Sequence, residues 1–145
     1  MKALLAVSVL AFAPPAWSSP CKDDAALTRA SFTLTLETVA TSPGAEPQSL
    51  TWDFEAERCT SVGKERARRV YRSGAFLLVL LDGATATDAA IVRRDGSPVA
   101  RLGEVRRDQL VSGETLPLGR AALALDDLQT IDGTATLTPR LPRGG

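Results

Sequence analysis

The chain has 145 residues, with 17 basic and 17 acidic side chains, two cysteines and no histidine. Without histidine the usual Ser-His-Asp and Cys-His machinery is excluded, together with the commonest zinc ligand. Balanced charge argues against nucleic acid as a general partner, since that role calls for a basic surplus.

Residues 1–18 read as a cleavable secretory signal peptide. Lys2 supplies the positive start, Ala3 to Ala13 form an apolar run of h-region length, and Ala16-Trp17-Ser18 places small residues at the two positions a signal peptidase reads. Pro14-Pro15 interrupts the run well short of the ~20 apolar residues a membrane-spanning helix needs. A buried N-terminal strand or helix is the plain alternative. Lipidation of Cys21 is disfavoured, because Pro20 stands where a small residue should precede the modified cysteine.

Cleavage after Ser18 leaves about 127 residues, enough for one domain with one core. We expect a single β domain over residues 19–138 and a disordered tail over 139–145. Arginine outnumbers lysine 14 to 3, which suggests a GC-rich bacterial genome. Cys21 and Cys59 both survive cleavage, and in an oxidising compartment such a pair is expected to form a disulfide. The loop of about 38 residues corresponds to roughly 4 kcal/mol in the chain-entropy model. Two free thiols, one of them catalytic, is the competing reading.

The first mature segment, Ser19 to Thr28, is polar. Ser31 to Val39 alternates, with Phe32, Leu34 and Leu36 on one face and Thr33, Thr35 and Glu37 on the other, as a half-buried strand does. Pro43, Gly44 and Pro47 mark a loop. Leu50, Trp52, Phe54 and Ala56 then alternate with Thr51, Asp53, Glu55 and Glu57 in a second strand.

Lys64 to Arg72 is charged and reads as a strand, because Ser73-Gly74 turns it into Phe76 to Leu81. That run has no polar face and is expected to be the central buried strand, ended by Asp82-Gly83. Ala89 to Arg94 and Val99 to Leu102 flank the hairpin signal Asp95-Gly96-Ser97, with Pro98 suited to an edge. Ala121 to Leu128 fits either a helix or a strand. Thr134 to Thr138 is the expected last strand. The pattern predicts an all-β fold, a small antiparallel sandwich or barrel of about eight strands.

No GxSxG, GxxxxGK or dinucleotide fingerprint is present. Carboxylate chemistry survives, because a glycosidase needs only two acids at the right separation. Asp126 and Asp127 are adjacent, however, and on a strand would point to opposite faces. No metal ligand set is expected: Asp126 to Asp132 lacks the spacing of a calcium loop. No cofactor is implied. Of the aromatics in the mature region, Tyr71 alone is left for a surface platform by alternation.

Lys64, Arg66, Arg68 and Arg72 would share one face of a strand and form a possible anion-binding stripe. Such a stripe suits lipid phosphate, lipopolysaccharide or an acidic envelope protein. The competing expectation, and the one favoured here, is a hairpin around Cys59 to Gly63 in which Asp53, Glu55 and Glu57 neutralise the stripe across the sheet. Taken together, the sequence describes an exported, disulfide-bonded, non-catalytic binding or scaffolding protein of the bacterial envelope or extracellular space. A carboxylate-dependent hydrolase and a small secreted inhibitor are the alternatives.

Overall fold

A computed structural model describes residues 20–142 except 39–43, 45, 64 and 127. The expected signal peptide, residues 1–18, lies outside the described residues, as do Lys64 and Asp127.

The chain is all-β. Eight antiparallel strands follow one another as β1 (Ser31–Thr38), β2 (Ser49–Val62), β3 (Arg66–Ser73), β4 (Phe76–Asp82), β5 (Thr87–Arg93), β6 (Pro98–Val105), β7 (Leu116–Ala124) and β8 (Thr130–Arg140). Successive strands pair as a meander except β6 and β7, and β8 returns to pair with β1, so the sheet runs β6-β5-β4-β3-β2-β1-β8-β7. Its two edges, β6 and β7, approach each other without a ladder, giving a nearly closed barrel. Arg93 spans that seam at one end, donating to the Ala124 carbonyl at 2.6 Å.

Alternation along the strands fills the interior. Phe32, Leu34 and Leu36 from β1, Phe54 from β2, Leu78 and Leu80 from β4, Ile91 from β5, Leu123 from β7 and Leu137 from β8 form one buried cluster. Each side chain of this size stabilises by about 1.5–3 kcal/mol on full burial. Leu50 and Trp52 are only half-buried against it. A smaller cluster of Val70, Leu77 and Val79, with Val92, occupies the other face of the sheet. The apolar run of β4 thus serves both faces and leaves only Leu81 at its end exposed.

Several boundaries differ from those the sequence suggested. β2 runs straight through Cys59 to Val62, so the hairpin turn falls at Gly63–Glu65 rather than at Cys59 to Gly63. Ala121 to Ala124 is strand, belonging to β7, where Ala121 and Leu123 face inward in alternation. The expected tail starts too early: Pro139 is buried across from Phe32, and Arg140 pairs with Ser31.

Three short helical turns complete the fold: α1 (Pro20–Asp23), α2 (Ala25–Thr28) and α3 (Arg107–Leu110). Leu27, Ala30 and Leu110 bury fully and join the core cluster. These turns cap the barrel end that also carries the β2–β3 turn and the β4–β5 loop. A disulfide between Cys21 and Cys59 ties α1 to the middle of the β2–β3 hairpin. Among the described residues no helix is long and apolar enough to cross a membrane.

Candidate functional site

On β3 the outward residues are Arg66, Arg68, Val70 and Arg72, and the inward ones are Ala67, Arg69 and Tyr71. A side chain between Ala67 and Tyr71 on a strand has to share their inward face. Arg69 is accordingly buried in full, and the cap was built to receive it. Its Nε donates to Thr28 Oγ1 at 3.1 Å, one terminal nitrogen donates to the Pro20 carbonyl at 2.9 Å, and the other reaches both oxygens of Asp82 at 3.3 Å. Asp24 adds an ion pair at 3.8 Å.

Asp82 is the hub on the opposite side. It also accepts from the Ala67 N–H at 3.0 Å, from Thr87 Oγ1 at 3.4 Å and from Arg107 at 2.9 Å. Arg107 closes the ring with its other terminal nitrogen, 3.1 Å from Asp24. A buried ion needs its partners within hydrogen-bond reach to offset desolvation, and this ring supplies them for both buried charges. Tyr71, expected at the surface, is buried instead. Its ring meets Phe32 edge-on at 4.7 Å, and its hydroxyl donates to the Leu27 carbonyl at 2.6 Å. Burial pushes its pKa well above the ordinary phenol value.

The two acids brought together here, Asp24 and Asp82, were not singled out by the sequence. Their oxygens are taken up by arginine donors rather than presented to a substrate-sized hollow. Asp126 lies in the β7–β8 turn, where its carboxylate accepts the Leu128 N–H. No group of three or more metal-ligating side chains gathers among the described residues. A hollow of about 420 Å³ opens beside the ring, lined by Glu65, Arg66, residues 83–87 and Arg107.

The outward stripe is arranged by the hairpin register. Val62 stands across from Arg66, Thr60 from Arg68 and Arg58 from Val70; a bulge then intervenes, and Glu55 stands across from Arg72. On the β4 side Leu81 faces Arg68. Only Arg72 therefore meets the acids proposed to neutralise the stripe, at 3.9 Å from Glu57, which Arg94 holds more closely at 3.1 Å. Asp53 lies beyond the reach of β3 and pairs with Thr33 and Arg140. Among the described residues no carboxylate lies within ion-pair distance of Arg58, Arg66 or Arg68. Turn position is the reason: moving it from Cys59–Gly63 to Gly63–Glu65 slides the acids past the cations.

Arg69 and Asp82 could have been found by parity. The strand alternation that groups Arg66, Arg68 and Arg72 puts Arg69 on the other face, and Asp82 closes an apolar run on the inward side of β4. Nothing in the sequence marks Asp24, Thr28 and Arg107 as their partners.

Compared with protein-family models, curated proteins and solved structures, the chain matches none.

Proposed function

We propose that this chain is an exported binding or scaffolding protein of the bacterial envelope or extracellular space, working through its outer surface. The barrel interior is packed with side chains along its length, so a ligand has to be met from outside. The disulfide and the signal-like N-terminus support an oxidising compartment. The carrying observation is the flank of the β2–β3 hairpin, where Arg58, Arg66 and Arg68 face outward and, among the described residues, no carboxylate lies within ion-pair distance of them. Uncompensated cations on a folded surface suit an anionic partner, and Lys64 and Arg72 extend the same stripe in sequence.

The test is retention of the exported protein on washed envelope fractions of its host. Retention should be saturable, fall steeply with salt, and be abolished by Arg66→Glu/Arg68→Glu in a protein whose melting is unchanged. Recovery of the wild-type protein entirely in a low-salt wash would overturn the reading.

A further inference from the structure

We infer that this flank docks on an anionic phospholipid surface, with Arg58, Arg66 and Arg68 on lipid phosphates and Val62 and Leu81 entering the boundary beneath them. The inference names the partner for the binding surface proposed above and rests on that reading. Four large apolar side chains are exposed among the described residues: Val62, Leu81, Val111 and Leu128. Two of the four, Val62 at 44% and Leu81 at 39%, lie on this one face. Register sets each directly across from a cation, Val62 from Arg66 and Leu81 from Arg68.

A guanidinium across from a carboxylate is satisfied in place, whereas one across from valine or leucine is not. Alternate residues on a strand are about 6–7 Å apart, so cations and apolar groups interleave finely over the patch. That mixture matches the headgroup boundary of a bilayer, where phosphates and acyl chains lie side by side. Arginine stems lie along apolar surface while their heads reach the phosphates, and an anionic leaflet attracts them.

An acidic protein would have to present carboxylates and apolar side chains in matching register on a surface curved to fit a convex barrel wall. A fluid lipid surface needs no such register. Room for headgroups exists on both sides of Arg66, in the hollow of about 420 Å³ already described and in one of about 560 Å³ lined by Val62, Gly63, Glu65 and Arg66. Glu65 is the acid bordering both hollows, and it offsets one of the three cations.

The disulfide-bonded protein recovered from its exporting host is sedimented with vesicles of phosphatidylcholine, alone or mixed with phosphatidylglycerol. Saturable, salt-sensitive binding is expected only to the mixed vesicles. Arg66→Gln/Arg68→Gln should weaken it about 25-fold, from about fivefold for each cation at an anionic surface. Val62→Ser/Leu81→Ser should weaken it several-fold at unchanged charge. Thermal unfolding checks each fold, and Arg58→Gln serves as the charge variant if the pair unfolds. Absence of binding to the mixed vesicles, or binding indifferent to the serine pair, would overturn the inference. Tighter binding to soluble polyglutamate than to vesicles would overturn it too, while leaving the broader binding reading in place. Envelope retention that is itself absent would remove both.

Discussion

Arg69 and Asp82 meet inside the barrel at 3.3 Å, with side chains 0% and 1% exposed. The two are not equivalent. Asp82 keeps Arg107, Thr87 and the Ala67 N–H if Arg69 is lost, whereas Arg69 keeps only its contacts to the cap if Asp82 is lost. Breaking a buried pair from one side costs about 3–5 kcal/mol, because the remaining charge is stranded. Asp82→Ala should therefore fall in that range, and Arg69→Met, which leaves a well-partnered carboxylate, should cost clearly less. Urea unfolding of the two variants decides the order; equal losses would show that Asp82 is not the hub.

The cap is also held covalently. Cys21 belongs to α1 and Cys59 to β2, 38 residues apart. Closing a loop of that length stabilises by roughly 4 kcal/mol in the chain-entropy model. Cys59→Ala should lose an amount of this order, and a non-reduced digest of the protein should yield the two cysteine peptides linked. Because Arg69 donates hydrogen bonds to the Pro20 carbonyl and to Thr28 Oγ1 on the same segment, hydrogen exchange in the reduced protein should rise first over residues 20–30.

Strand alternation makes much of this barrel legible in the sequence. Phe32, Leu34, Leu36 and Phe54 face inward as the period of two requires, and the hairpin at Asp95-Gly96-Ser97 forms where turn chemistry puts it. Register was not legible, because it depends on where the β2–β3 turn closes and on a bulge between Ala56 and Arg58. A bulge adds a residue to one strand and shifts every later pair. Hence, of the cations that the acids at 53, 55 and 57 are expected to neutralise, only Arg72 meets them. The buried ring was missed for a different reason: Asp24, Arg69, Asp82 and Arg107 are far apart in sequence, and only the docked cap brings them together.

Gly133 shows the same limit. It reads as a turn residue after Asp132, yet it sits within β8, paired with Thr38 on one side and Ala121 on the other. A Cβ there would collide with the Glu37 carbonyl and crowd Leu36. Overpacking against backbone costs about 1–3 kcal/mol. Gly133→Ala should lose stability in that range in urea, while Gly74→Ala, in the exposed β3–β4 turn, should lose less, since its penalty is confined to a positive φ with open space around it.

Tyr71 gives the pH dependence a single reporter, because the chain has one tyrosine. Its hydroxyl is buried under the cap and donates to the Leu27 carbonyl, and desolvation raises its pKa far above the ordinary phenol value of about 10. Arg69 nearby pulls the other way and Asp82 adds to the rise, both less than burial does. The folded state therefore holds the phenolic proton over a range where the unfolded chain has released it. Stability from this group is fully present below about pH 10, the unfolded value, and is lost as pH climbs from there towards the folded pKa. Tyrosinate absorbance should stay absent through pH 10 in the native protein and then appear together with unfolding. Tyr71→Phe should be less stable at neutral pH by about 1 kcal/mol, from the lost hydrogen bond to the Leu27 carbonyl, which keeps the Ala30 N–H as a partner, but should show a flatter fall in stability above pH 10. Tyrosinate forming near pH 10 while the fold persists would mean that the cap leaves the hydroxyl open to water.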